Sequence, residues 1–356
     1  MKFRACAATW TLMSCVLISC SDSNGDTAQG ARTGPRSITV LTHDSWAMDT
    51  KVMAEFKKRT GITVTIRKGG DAGAVLNKLI LTKDAPIADV VYGIDSTFQG
   101  RAEAADVLTP YSSRSRSGIA REFAKTGGAA LTPVDYGDVC INYDKAWFAA
   151  HPKIPVPTKL ADLTKPAYKN LLVVEDPARS SPGLAFLLST ILEFGDTGWE
   201  DYWAALSANG VTVAAGWEQA YNGRFTGSGA EGTDRPLVVS YATSPPAAVM
   251  YAEGPRPSES PIGVMTASCY RQVEFVGVVR GTKHAAAAQE FIDFMLSGSF
   301  QSSLAEQMFV MPVMSGAKVP EVFSKFAAFP TARQIAPAKV NRERENWIAA
   351  WTEIAL

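Results

Sequence analysis

Ser37-Ile38-Thr39-Val40-Leu41-Thr42, the polar turn His43-Asp44-Ser45, residues 48–60, and then Gly61 before Ile62-Thr63-Val64-Thr65-Ile66 decide the fold. The first and last runs are rich in β-branched residues, which suit a pleated strand. Between them Val52, Met53 and Phe56 share one side of a helical period and the charges take the other. Gly61 is placed to end that helix in a left-handed conformation. A strand, a helix and a second strand in this order make a parallel pair, because parallel strands need a crossover connection.

The alternation continues along the chain. Residues 73–83 read as a helix with Val75, Leu76, Leu79 and Ile80 apolar, and Ala88-Asp89-Val90-Val91-Tyr92-Gly93 as a strand leading to Ile94-Asp95-Ser96. Further strands are predicted at 134–143, 171–175, 211–213, 237–241 and 273–279. Helices are predicted from 184 through 192 and over 285–296. The fold class is therefore α/β, with the loops after strands carrying Asp, Ser, Gly and aromatic residues. In open α/β sheets ligands bind at the carboxyl ends of strands. Two lobes facing each other would gather those loops along one cleft.

The first residues are of another kind. Lys2 and Arg4 precede a short apolar stretch over 5–18, the layout of a secretory signal. It closes on Leu17-Ile18-Ser19-Cys20, which resembles a bacterial lipobox, so 1–19 is expected to be cleaved and Cys20 to carry lipid at the cell membrane. Residues 20–35 are polar and lack a hydrophobic period, as a flexible tether does. The remaining chain exceeds what one hydrophobic core usually organises. Thirty-five basic and thirty-five acidic residues balance, which gives no electrostatic footprint for nucleic acid. Of five cysteines, Cys6 and Cys15 leave with the signal and Cys20 takes the lipid. Cys140 and Cys269 remain, and an even pair in an exported protein favours a disulfide.

Catalytic motifs are sparse. No Gly-x-Ser-x-Gly, phosphate-binding loop or zinc spacing occurs, and the histidines are His43, His151 and His284. A binding module is the better starting class, without catalytic residues, metal or cofactor.

A series of motifs then carries a resemblance. It comprises Thr42-His43-Asp44-Ser45, the run 88–95, Pro133-Val134-Asp135-Tyr136-Gly137, and Asp176-Pro177 through Ser181-Pro182-Gly183-Leu184. It continues with Gly216-Trp217-Glu218-Gln219-Ala220-Tyr221, Ser240-Tyr241-Ala242-Thr243-Ser244-Pro245 and Gln272-Val273-Glu274. In order and spacing these resemble the periplasmic thiamine-binding proteins of ABC importers, over about residues 38 to 351. The resemblance implies a two-lobed type II solute-binding fold with a ligand cleft between lobes, one lobe from 36–133 plus 273–356 and the other from 134–272. It implies thiamine or a thiamine phosphate as transported ligand, an ABC permease as partner, an extracytoplasmic location and a monomer.

The chemistry agrees with such a cargo. Thiamine carries a permanent thiazolium charge, which aromatic faces attract, and Trp217, Tyr221 and Tyr241 supply faces. Asp44 and Ser45, which could also cap the first helix, are expected at the ligand's polar edge, with Thr243 and Ser244 beside the aromatic group. Asp71, Ala72 and Gly73, with Ser180 and Ser181, start two helices, where free N–H groups favour phosphate; the resemblance assigns the phosphate end there, and Asp95, after a strand, is a further ligand candidate. The sequence departs from the family at His43, where the family has Tyr, and at Thr50 and Ala247, where it has aromatic residues. Phe309 stands where a Trp would. The crossing segments should run together, with hinges at Val134-Asp135 and residues 270–273, which would bring Cys140 to Cys269. Two alternatives stay open. A thiaminase-like transferase would need Cys140 as a thiolate beside Glu274 as base. A polyamine binder would use Asp44, Asp71 and Asp95, whereas a ferric-ion binder is disfavoured by the lack of a Tyr-Tyr pair.

Overall fold

The computed structural model describes residues 36–356, so the signal, Cys20 and tether expectations lie outside the described residues. In chain order the strands are β1 (Arg36–Thr42), β2 (Ile62–Lys68), β3 (Val90–Asp95), β4 (Leu108–Thr109), β5 (Leu131–Asp144), β6 (Leu172–Glu175), β7 (Thr212–Ala214), β8 (Leu237–Tyr241), β9 (Ile262–Val279) and β10 (Met311–Pro312). The helices are α1 (Thr50–Thr60), α2 (Ala72–Leu81), α3 (Gln99–Ala105), α4 (Lys145–Ala150), α5 (Ser181–Ala208), α6 (Trp217–Arg224), α7 (Ser244–Met250), α8 (Ala285–Met295), α9 (Gly298–Met308), α10 (Glu321–Phe326) and α11 (Pro337–Ala355).

The opening unit forms as its residues dictate. Phe56 of α1 is fully buried, and Gly61 takes φ 69° and donates its N–H to Lys57 O. Asp49, not Asp44 or Ser45, caps α1 by accepting from Lys51 N at 2.7 Å. Strand β1 pairs in parallel with β2 and β3. At the far side β6 pairs in parallel with β7 and β8.

One sheet joins both flanks, in the order β2-β1-β3-β9-β5-β8-β6-β7. Its centre is the long antiparallel pair β5–β9, which pairs with β3 on one side and β8 on the other. Register shows what this does. The end of β3, Asp95, lies beside Glu274, which faces Asp135; the end of β8, Tyr241, lies beside Val139, which faces Tyr270. The carboxyl ends from both flanks thus converge on the middle of β5, and two sets of strand-end loops face each other there.

The expected boundaries at 133/134 and 272/273 fall inside β5 and β9. Past α10 the chain returns to the second flank: Ala328 N bonds Ala242 O, and Arg333 pairs its backbone with Cys269 and Arg271. Between the pairs Val139–Tyr270 and Ile141–Met265 strand β9 bulges over residues 266–269. Cys140 and Cys269 are disulfide-bonded at this bulge, with Cα atoms 4.5 Å apart. Arg344 of α11 lies over the ring of Phe98, 4.6 Å away, while Trp351 meets Trp203 of α5 edge-on at 5.5 Å. Among the described residues no helix is long and apolar enough to cross a membrane.

Candidate ligand-binding site

A cavity opens where the strand ends converge; with the open solvent at its mouth included, it spans about 670 Å³. Its aromatic wall comes from the second flank. Trp217 begins α6 after Gly216, and Tyr221 follows one turn later, so the rings stack with centroids 4.8 Å apart and planes 19° from parallel. Trp217 Nε1 donates to Ser240 Oγ at 2.9 Å, and Ser240 bonds Ser244 at 3.0 Å. These bonds fix the indole, which leaves little rotamer entropy to lose on binding. Tyr241 adds its ring, held against Gly137, where a Cβ would sit 2.7 Å from the ring; its hydroxyl donates to Gln272 at 3.4 Å. Burial raises the pKa of Tyr241 well above the phenol value, so it stays neutral.

Phe309, Met308 and Val310 line the cavity from the end of α9. Phe309 has φ 54°, an uncommon conformation for a residue with a side chain. Its carbonyl accepts from Thr243 Oγ1 at 2.5 Å, which ties the two flanks, and its ring packs between Tyr251 and Phe323. Ser45, Asp71, Ser181, Ser244 and Ala247 complete much of the rim. A polar outer chamber of about 610 Å³ adjoins it and shares Ser45, Asp71 and Trp217; Asp44, Arg179 and Glu218 line only this chamber.

The residues expected at the helix starts hold the flanks to each other. Asp71 caps α2 through Ala72 N at 2.7 Å, and its second oxygen accepts from Trp217 N across the cleft at 3.0 Å. Gly73 N donates to Arg179 O at 2.9 Å. A Cβ on Gly73 would lie 2.6 Å from Ala178 O and 2.9 Å from Arg179 Cα, so only glycine permits this approach. Ser180 caps α5, accepting from Gly183 N, and Ser181 Oγ donates to Asp95. Asp95 and Ser180 are 0 % exposed and do not line the cavity; Ala72 is buried. Burial raises the Asp95 pKa to about 7. Thr50 is exposed as the first residue of α1, away from the cavity.

Of the lining residues outside the expected ligand set, two are ionisable, His43 and Glu274. His43 follows β1 and turns inward, while Asp44 faces out and accepts from Gly70 N at 2.9 Å. Gly93, with φ +97° at an irregularity in β3, makes room: a Cβ there would sit 2.5 Å from His43 Cδ2. His43 Nε2 lies 3.7 Å from Glu274 Oε1 and has no hydrogen-bond partner among the described residues. Burial pulls the imidazole pKa down, but the charge of Glu274, and those of Asp71 and Asp44, outweigh it and the net shift is upward. Burial likewise pushes Glu274 up, and His43 outweighs it, leaving a carboxylate.

Behind this pair Tyr92 OH lies 2.6 Å from Asp135 Oδ2 and 2.8 Å from Glu274 Oε2. One phenolic proton serves one of them, so the cluster needs a second. Asp135 holds it, because burial and the neighbouring Glu274 charge raise its pKa well above the carboxylate range. His43 was marked in the sequence only as a departure and Glu274 only as a candidate base. The signal that could have found them is position: His43 directly follows β1, and Glu274 lies within β9 beside Asp95, the last residue of β3.

Fold and cavity together define a two-lobed α/β binding protein of the type II class, built to hold a small ligand between its lobes. Residues 85–332 match the family described as bacterial extracellular solute-binding protein, and the chain belongs to that family. Relatives include the thiamine-binding periplasmic proteins of Salmonella typhimurium, 29 % identical with 88 % of this chain and 92 % of the relative covered, and of Escherichia coli K12, 28 % identical with the same coverage. Among solved structures a periplasmic thiamin binding protein aligns with TM-score 0.78 and 26 % identity, over 90 % of this chain and 96 % of the other. A ferric binding protein from Campylobacter jejuni, 16 % identical over 89 % and 99 %, has TM-score 0.69 and shares the fold.

Proposed function

We propose that this protein captures thiamine or a thiamine phosphate outside the cytoplasm and delivers it to an ABC importer, as a monomer held to the membrane by lipid on Cys20. The observation that carries the reading is the stacked Trp217–Tyr221 wall in a cavity that also holds the Glu274 carboxylate. A flat, permanently charged ring gains from an aromatic face and from a nearby anion. The relatives named for thiamine binding support the same cargo.

Unphosphorylated thiamine suits the closed arrangement best. The polar groups of Asp71, Gly73, Ser180 and Ser181 already hydrogen-bond within the protein, and Asp71 stands between the cavity and the outer chamber. A phosphate ester would extend into that chamber, where Arg179 supplies a cation against the acidic Asp44, Asp71 and Glu218. A transferase reading loses its nucleophile, because Cys140 is disulfide-bonded. Calorimetry of the mature protein with thiamine, its mono- and diphosphate, spermidine and ferric citrate tests the proposal. Thiamine is expected to bind at least as tightly as either ester. Saturable binding of spermidine or iron without thiamine binding would overturn it.

A further inference from the structure

His43 is a buried, unpartnered imidazole nitrogen at the wall of a cavity that is proposed to receive a cation. The groups facing it come from four elements. Glu274 of β9 is 3.7 Å away, Asp71 stands at the start of α2, Asp44 follows in the same turn, and Tyr92 of β3 has its ring centroid 5.5 Å from the imidazole. Asp135 of β5 reaches it only through Tyr92 and Glu274. Apart from His43 the groups facing the cavity here are acidic or neutral, and the nearby Lys68 is engaged with the Asp44 carbonyl, so the His43 proton is the positive charge beside Glu274 in the free protein.

We propose that His43 makes capture proton-linked: an arriving cationic ligand takes over the compensation of Glu274, and His43 releases its proton to solvent. The inference rests on the proposed function, since it needs a permanently charged ligand. Two positive charges would otherwise crowd beside the Glu274 carboxylate inside a buried cavity. A unit charge about 6 Å from the imidazole, at an effective dielectric of about 20, lowers its proton affinity by about two pH units. The gap between Nε2 and Glu274 leaves the pair free to part, because no hydrogen bond within the protein locks it. The sign follows from linkage: binding that expels a proton is favoured as pH rises through the free-state pKa.

The test is calorimetry of thiamine binding in phosphate and in ACES, two buffers of unlike ionisation enthalpy that both hold the range from pH 6.0 to 8.0, which counts protons from the buffer dependence of the heat. Wild-type protein should release close to one proton at the acid end and fewer toward pH 8. Its Kd should tighten by about tenfold per pH unit where release is complete. His43→Gln should show no buffer dependence and a flat Kd, and His43→Tyr should do the same if the first variant does not fold. Thiamine binding with no proton release in the wild type would overturn the linkage and leave the cargo assignment standing. Release that persists in both variants would also overturn it. Failure of thiamine to bind at any pH would refute the functional reading and the linkage with it.

Discussion

Gly73→Ala should separate folding from capture. Gly73 lies in the first turn of α2 with an ordinary helical backbone, so alanine is locally acceptable and gains up to about 1 kcal/mol of helix propensity. Across the cleft, however, the new methyl would meet Ala178 O at 2.6 Å and Arg179 Cα and O at 2.9 Å. These are backbone atoms and cannot swing aside. Relieving them means backing the flanks apart by roughly an ångström, which also stretches the Gly73–Arg179 hydrogen bond. Overpacking of this kind costs about 1–3 kcal/mol, and here the cost falls on the closed form alone. Calorimetry should therefore show thiamine binding weakened by about 5- to 150-fold, while the urea midpoint stays level or rises. Small-angle scattering with saturating ligand should report a less compact particle than wild type. Unchanged affinity in a folded variant would refute the idea that this contact forms on closure. Parallel loss of stability and affinity would show that the contact is permanent.

Other expectations follow from the same geometry. Asp71→Ala removes the cross-cleft acceptor of Trp217 N–H and the α2 cap; about 1–2 kcal/mol, or 5- to 30-fold in affinity, should be lost by calorimetry, most of it restored in Asp71→Asn. Trp217→Ala should weaken thiamine binding by about thirtyfold or more, with circular dichroism confirming the fold; unchanged affinity would make Trp217 a packing residue. Replacing Cys140 and Cys269 by Ser opens a link between residues 129 apart and should lower stability by up to about 4–5 kcal/mol, with no free thiol titrated in the unreduced wild type. Asp95 keeps its proton up to about pH 7 when folded and loses it near pH 4 when unfolded. The folded state then binds more protons in that window, so stability should fall by up to about 4 kcal/mol as pH rises from 4 to 7, and Asp95→Asn should flatten the slope in denaturant titrations.

Much of this was legible in the order of residues. The run from β1 to β2 announced a parallel unit because Phe56 and Gly61 mark the buried face and the stop of α1. Trp217 and Tyr221 were legible because an aromatic pair one turn apart at a helix start has few reasons to stand exposed. The lengths of β5 and β9 were underestimated, since residues 262–272 mix Thr, Ser, Arg and Gln with apolar residues and show no clean alternation. The small polar residues are ambiguous for a physical reason. A helix cap and a phosphate ligand call for the same side chains, so Ser180 and Asp71 read alike until partners such as Gly183 N and Trp217 N are seen. Asp44 and His43 differ by one position, and the turn after β1 sends the first outward and the second in. The pairing of His43 with Glu274 spans strands separated by β3, which no local pattern encodes.

The last helix has a consequence for how the molecule moves. With Arg344 seated on Phe98 at one flank and Trp351 lodged against Trp203 at the other, α11 is fastened to both jaws. If the jaws part, they must squeeze or slide that fastening, so indole packing away from the cleft enters the cost of opening. Trp203 and Trp351 lie outside the cavity, yet their emission should register each opening stroke.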